Sequence, residues 1–478
     1  MRRAGRGRRL LAAGFLLALL GAGGIAAGAW MLQEHGIAPR TLGPYLAKRS
    51  TGHNPMIAAG GAWLGRMLTR LDRGLPEPIL LPALAAGAQP WAVSAGPGAR
   101  RLVASSDELR RAVAEAQPGD LITLLPGVYR VERSIAASRA GSEEAPITVR
   151  AEQPGSALIE FASVEGFAVS APWWRFENLA IRGVCTTQET CEHAFHVSGG
   201  AHHFAAINNT LTDFNAHFKI NGSQGAFPDH GLIEANTLTN SAPRRTFNPV
   251  TPIDLVAASD WLVRGNLITD FIKSGGDGIS YGAFAKGAGA RTLFERNVVL
   301  CEQRLQGLPG QRVGLSFGGG STAKPYCRDG KCITEQDGGI MRANLVASCS
   351  DAGIYINSGA GSTIADNTLV DTAGVQVRYP ESSATLDGNL IDGAIVSRDG
   401  GVLRAGDNLS TSTVTAYAGY HRLRGLFRRS QAFEFGWSDA APQRTGGAGI
   451  DLCAPKRNPA PAYGAFDDFR ACLRQPRN

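Results

Sequence analysis

Three stretches decide the architecture: Gly231-Leu232-Ile233-Glu234-Ala235-Asn236-Thr237-Leu238-Thr239, Trp261-Leu262-Val263-Arg264-Gly265-Asn266-Leu267-Ile268-Thr269 and Thr292-Leu293-Phe294-Glu295-Arg296-Asn297-Val298-Val299-Leu300. Each carries an apolar residue three before an Asn and another two after it. The pattern recurs around Asn209, Asn344, Asn367 and Asn389, and Asn178 opens the series less regularly. Spacings are 22 to 31 residues, apart from one of 47 that holds the Cys327–Cys332 loop and a Gly-rich stretch, read as an insertion. Apolar and polar residues alternate with no helix-period run between them, so each repeat is a set of short strands and turns. Such a unit cannot bury its inner face alone. Stacking the units about 4.8 Å apart buries a continuous core and pairs each strand with those above and below. The repeated Asn would then form an internal amide ladder.

Register supplies a check. Two residues before the Asn stand Glu234, Arg264, Glu295, Arg342, Ala365 and Asp387, so opposite charges alternate on four neighbouring coils. Cross-strand pairs of this kind stabilise a sheet, and a solvent-exposed charge ladder is expected. Cys301 and Cys349 fall four and five residues after their Asn on consecutive coils and are expected to cross-link them. Three further close pairs, Cys185–Cys191, Cys327–Cys332 and Cys453–Cys472, complete four expected disulfides. Disulfides belong to oxidising compartments, and no nearby His pair completes a zinc spacing.

Composition narrows the function. Gly makes up 60 of 478 residues without a triplet period, which excludes collagen, and 44% hydrophobic residues with 19% charged exclude global disorder. The net charge of +7 is concentrated at the N-terminus, where Arg2, Arg3, Arg6, Arg8 and Arg9 stand together. Residues 101–478 hold 36 basic against 38 acidic side chains, which argues against a nucleic-acid partner. Residues 10–32 are uncharged and, at 23 residues, long enough to span a bilayer. They read equally as a cleaved signal peptide, with Ala27-Gly28-Ala29 as the small-residue site. Either reading exports the body to the periplasm or beyond. Leu64, Met67, Leu68 and Leu71 share one helical face opposite Arg66, Arg70 and Arg73, fitting a helix on a membrane surface or one packed on the main domain. Residues 75–100 are rich in Pro, Gly and Ala and read as a linker. The expected organisation is a signal or anchor over 1–32, a helical and Pro-rich linker over 33–100, and a β-domain with its tail over 101–478.

A helix caps the first coil. Ser105 and Glu108 form a capping box, and Leu109, Ala112, Val113 and Ala116 make its apolar stripe before Pro118-Gly119. It would cover strand edges that otherwise invite aggregation. This helix, the run Gln117-Pro118-Gly119-Asp120-Leu121-Ile122-Thr123-Leu124-Leu125-Pro126-Gly127-Val128-Tyr129 and Trp174-Arg175-Phe176-Glu177-Asn178-Leu179 resemble the right-handed parallel β-helix proteins of the pectin-lyase-like superfamily. The opening looks most like the chondroitinase-B-like and alginate lyase branch. Asp451-Leu452-Cys453 and Tyr463-Gly464-Ala465-Phe466-Asp467 resemble a tail common in bacterial β-helix proteins. The likeness covers roughly residues 101–470 and implies an all-β, right-handed parallel β-helix. It leaves activity open, because the fold hosts lyases, hydrolases, epimerases and adhesins.

A second strand per coil supplies the candidate site. Stacking Phe195-His196-Val197, Phe218-Lys219-Ile220, Ile253-Asp254-Leu255, Ile279-Ser280-Tyr281, Leu315-Ser316-Phe317, Ile354-Tyr355-Ile356 and Val375-Gln376-Val377 sends the middle residues outward in one row. His196, Lys219 and Asp254 then lie on successive coils, about 5 Å apart, and Lys273, Asp277 and Lys286 flank them. Elimination from a uronic acid polymer needs a cation beside the sugar carboxylate, a base for the adjacent carbon and an acid for the leaving oxygen. Lys219 or Lys286 is a candidate base if burial lowers its pKa, with His196 and His217 as alternatives, and Arg291 or Arg312 is a candidate carboxylate partner. Tyr281 and Tyr355 are candidate substrate contacts. Asp254 and Asp277 are the pair that a hydrolase would need. In the lyase family that the opening resembles, a carboxylate-rich strand leads to a catalytic Lys, with an Arg on the next coil. Here Asp277 is a lone carboxylate, Lys286 comes several residues later, and Val313-Gly314-Leu315-Ser316-Phe317-Gly318 has no Arg. Neither that Lys/Arg pair nor the family's calcium ligands carry over, so no cofactor is expected from the residues.

The reading is an exported, monomeric β-helix protein acting on a polysaccharide, lyase-like toward an acidic glycan. The alternative is a non-catalytic envelope protein, tethered to the inner membrane through its N-terminal helix, that binds or guides a polysaccharide.

Overall fold

The short strands cannot bury an inner face alone, and stacking answers that need. The computed structural model describes residues 23–24, 26–74, 77–79, 81–92, 100–446 and 449–473. Strands between Arg100 and Ser410 stack into three parallel sheets of twelve, eleven and ten strands, which wind round one apolar core as a parallel β-helix. The first sheet holds Leu232–Glu234, Leu262–Arg264 and Leu293–Glu295, and the second holds Thr237–Thr239, Leu267–Thr269 and Val298–Leu300. The third includes Glu165–Val169, His193–Ser198, Ala216–Asn221, Ile253–Val256, Ile279–Lys286 and Gln311–Phe317. The helix Ser106–Ala114 closes the first coil, with Ser105 Oγ accepting from Glu108 N and Leu109, Ala112 and Val113 buried.

The Asn ladder lies at the turn between the first and second sheets. The side-chain amide of Asn297 donates to Asn344 Oδ1 (3.0 Å) and to the Val263 carbonyl (2.9 Å), while its own oxygen accepts from Asn266 N and Nδ2. Equivalent bonds run from Asn209 through Asn236, Asn266, Asn297, Asn344, Asn367 and Asn389 to Asn408. Asn408 is a rung beyond the repeats found in the sequence. Asn178 stands one place off the ladder. Leu179 N donates to Asn209 Oδ1, and Asn178 aligns with Asn208 in the column of left-handed residues that precedes each rung. The expected charge ladder is present as two ion pairs, Glu234–Arg264 and Glu295–Arg342. All four expected disulfides form.

Residues 33–100 are not a free tether. The helices Pro39–Ser50 and Pro55–Arg73 form a hairpin held on the β-helix by buried charges. Arg40 pairs with Asp72 (2.6 Å) and Asp371 (2.7 Å), and Arg424 pairs with Asp72 (2.8 Å) and Asp392 (2.7 Å). Burial alone would raise the carboxyls of Asp371 and Asp392, but the guanidinium groups of Arg40 and Arg424 hold both well below the usual range. Within the Pro-rich part, Gly87 N donates to the Gly265 carbonyl and Gln89 N to Asn208 Oδ1. Among the described residues no helix is long and apolar enough to cross a membrane. Of the stretch read as signal or anchor, residues 10–22 and 25 lie outside the described residues, and 26–34 are helical.

Removing one partner from a buried ionic network strands the other charge, so Asp72→Asn is expected to cost about 3–5 kcal/mol. Asn297→Ala leaves several buried amide groups unpaired, at about 1–3 kcal/mol each. Asn408→Ala, at the half-buried end of the ladder, is expected to cost less. Urea denaturation of the three variants measures both effects.

Candidate functional site

Among the described residues, the three outer faces differ in what covers them. Outward residues of the second sheet, Val298, Leu300, Leu345 and Leu390 among them, pack against Phe427, Phe433, Phe435, Phe466 and Phe469 of the C-terminal tail. On the first sheet, opposite charges neutralise one another. The third sheet carries a row of titratable groups with loops on either side.

The register of that row differs from the sequence reading at one strand. His196, Lys219 and Asp254 stand opposite one another on successive coils, as expected, but the residue opposite Asp254 is Phe284. Ser280 is fully buried and pairs with Arg312. The strand is eight residues long, and Ala283 and Ala285 supply its small inward positions where Ile279 and Tyr281 were expected. The row continues through Ser316, Tyr355 and Gln376. Two residues further along each strand, a second outward row holds Asn221, Val256 and Lys286.

Within this face, Lys219 Nζ donates to Asp254 Oδ2 at 3.0 Å, while Asp254 Oδ1 is buried without a protein partner. His196 Nδ1 lies 2.7 Å from Glu165 Oε1, and its Nε2 lies 2.8 Å from Asn221 Oδ1. Burial lowers the His196 pKa, but the Glu165 hydrogen bond and charge outweigh it, so the imidazolium is favoured. The hydrogen bond from His196 in turn lowers the Glu165 carboxyl. Neighbouring His193 goes the other way: burial brings it down to about 4, so this ring is neutral. The Lys286 ammonium lies 4.6 Å from the Phe284 ring centroid, and burial lowers its pKa despite the attraction of Asp254. Phe227, Val256, Tyr281 and Phe284 form an apolar cluster around it.

The walls come from the insertions. On one side Arg328 pairs with Asp229 and stacks over Phe227, and its backbone N–H donates to the Gly287 carbonyl beside Lys286. On the other, Lys273 pairs with Asp277 (2.8 Å) and donates to the Phe247 carbonyl.

Several sequence candidates fall outside this cluster. Arg312 is buried in an ion pair with Glu302, so it cannot meet a substrate carboxylate. Arg291 is held by both oxygens of Asp260 at a corner outside the third sheet. His217 is buried, donates Nε2–H to the Thr239 carbonyl and is pushed down to about 4 by burial. Asp277 precedes Ile279, five strand residues or on the order of 15 Å from Phe284 opposite Asp254, so the two carboxylates are not a hydrolase pair. Lys273 and Asp277 serve the rim. Tyr281 packs edge-on to Phe284 beside the cluster, and Tyr355 lies two coils beyond Asp254's neighbour, its hydroxyl accepting from Asn357. Glu165, His193, Asn221 and Phe284 were missed. Extending the row one coil back through Glu165-Gly166-Phe167-Ala168-Val169 would have found Glu165, since Phe167 stands opposite Phe195.

Comparison with known proteins agrees on architecture. Residues 103–241 match the family model described as Chondroitinase B. The fold is a parallel β-helix. Among solved structures, pectate lyase Pel9A is similar at 14% identity and a TM-score of 0.48, covering 78% of this chain and 97% of that one. An alginate lyase from Paenibacillus sp. str. FPU-7 is similar at 16% identity and a TM-score of 0.36, with 65% and 95% covered. A rhamnogalacturonan lyase gives 12% identity, a TM-score of 0.42 and coverage of 63% and 82%. No curated protein matches this chain.

A pH titration tests the charge assignment. Because its folded pKa is raised, His196 lends stability that is complete below its ordinary value and is lost as pH rises through the folded one. Glu165, lowered, lends stability above its ordinary pKa that is lost as pH falls. Imidazole NMR is expected to show His196 titrating above 6.5 and His193 at about 4. Glu165→Gln is expected to bring His196 down while leaving the His193 curve low.

Proposed function

We propose that this protein is an exported polysaccharide lyase whose substrate is a uronate-containing glycan lying in the trough of the third sheet. The observation that carries the reading is the grouping of Lys219, Asp254 and Lys286 on adjoining coils, with the Lys286 pKa lowered by burial and Lys219 hydrogen-bonded to Asp254. The match of residues 103–241 to the chondroitinase B model supports it, since that stretch contains Glu165, His196, Lys219 and Asn221. The four disulfides support export to an oxidising compartment.

In this mechanism Lys286, in the deprotonated form that burial favours, takes the proton from the carbon bearing the sugar carboxylate. The electron pair forms the ring double bond as the bond to the glycosidic oxygen breaks. Lys219 offsets the negative charge that builds on the carboxylate, and the leaving oxygen takes its proton from water in the trough, His196 lying three coils from Lys286. Phe284 lies against the Lys286 amine, and burial there lowers the pKa of the base. Inversion or retention by the pair Asp254 and Asp277 is a poor fit, because the two lie far apart along the sheet.

Incubation with alginate, chondroitin and pectate, followed by absorbance of the unsaturated product, is the direct assay. Activity on one of them is expected; Lys286→Ala is expected to lower kcat about 10²–10⁴-fold with little change in Tm, whereas Lys219→Ala lowers kcat and also lowers Tm, because it strands the buried Asp254 carboxylate. The pH–rate curve is expected to rise through a pKa below that of ordinary lysine. Binding without product on every polymer would favour the non-catalytic alternative.

A further inference from the structure

The helical hairpin shows an apolar stripe on the side turned away from the body. Met56, Trp63, Met67 and Leu71 recur at positions i, i+7, i+11 and i+15 of the helix Pro55–Arg73, so they share one narrow face. Met56 is 82% exposed and Trp63 is 60% exposed. The opposite face, with Gly65, Leu68 and Asp72, is the buried one. The stripe cannot turn inward, because Asp72 is fixed by Arg40 and Arg424. Arg66 and Arg70 lie beside the stripe, and Lys48 and Arg49 are exposed on the neighbouring helix. The one acidic residue between Pro39 and Arg73 is the buried Asp72, so every exposed charge on the hairpin is positive.

We propose that this face docks on an anionic lipid bilayer, with Met56, Trp63 and Met67 in the interface and Arg66, Arg70 and Arg49 among the headgroups. Two observations select lipid over a protein partner. Charge complementarity is one-sided and diffuse, with no exposed acidic group between Pro39 and Arg73. The chain that enters the hairpin comes from the uncharged stretch 10–32, whose last residues carry Trp30 and Met31 exposed on the same N-terminal portion. The docking also has a consequence for the trough: Lys48 Nζ donates to the Asp277 carbonyl at the trough's rim, so a docked hairpin opens that rim beside the bilayer.

The test places a nitroxide at Met67→Cys in the full chain and reads its accessibility by electron paramagnetic resonance. With phosphatidylglycerol vesicles, access to a water-soluble nickel chelate is expected to fall several-fold and access to oxygen to rise. Phosphatidylcholine vesicles, high salt or the pair Arg66→Glu and Arg70→Glu are expected to abolish the change. An unchanged, water-exposed label on anionic vesicles overturns the proposal. So does a label already shielded without lipid, which would assign the stripe to residues 1–22 if independent of protein concentration, or to a second copy if dependent on it. Because the label reports the helix itself, anchoring by residues 10–32 alone leaves it exposed and counts against the proposal.

Discussion

A buried asparagine must satisfy a donor and an acceptor at once, and in the ladder the coils above and below supply both. Asn297 gives its amide to Asn344 and receives two N–H groups from Asn266, so a slip of one residue would leave several polar atoms buried and unpaired. The same bond repeated from Asn209 to Asn408 fixes the register of the first and second sheets. It also fixes, coil by coil, where the chain enters the third. The positions of Lys219, Asp254 and Lys286 are therefore consequences of a constraint on the other side of the core.

The remaining surfaces follow from what covers them. The apolar outward residues of the second sheet need a partner, and the phenylalanines of the tail and the segment 81–92 supply one. Charged residues on the first sheet neutralise each other. The third sheet keeps its groups available. Loops longer than a tight turn enter and leave it, and those loops build walls that lower the polarity around Lys286. Its depressed pKa is a property of the insertions as much as of the lysine.

Much of this was legible in the sequence, and the failures have physical causes. The Asn spacing, the charge alternation and the four disulfides rest on short-range patterns that the coil repeats. Register in the third sheet was harder, because its strands lie many residues from the nearest Asn across loops of unequal length. In Ile279–Lys286 two apolar triplets compete, and Ile279-Ser280-Tyr281 resembles the neighbouring strands more than Ala283-Phe284-Ala285 does. The core prefers the alanines there because Phe271, Phe294 and Phe317 already fill the space. Arg312 looked exposed because nothing nearby in sequence announces Glu302 as a buried partner. Asn178 fits the repeat by composition, yet Leu179 takes the rung. The hairpin's attachment through Asp72, Asp371 and Asp392 joins residues some 300 positions apart and could not be read from either segment.

The most direct measurement is of register at the site. Cys301 and Cys349 show that residues on consecutive coils can be joined, with Cα atoms 4.9 Å apart. A variant carrying Asp254→Cys and Phe284→Cys is expected to form a new disulfide, detected by non-reducing peptide mapping, while Asp254→Cys with Ser280→Cys leaves two free thiols. Cross-linking of the second pair and not the first would put Lys286 elsewhere and contradict the account.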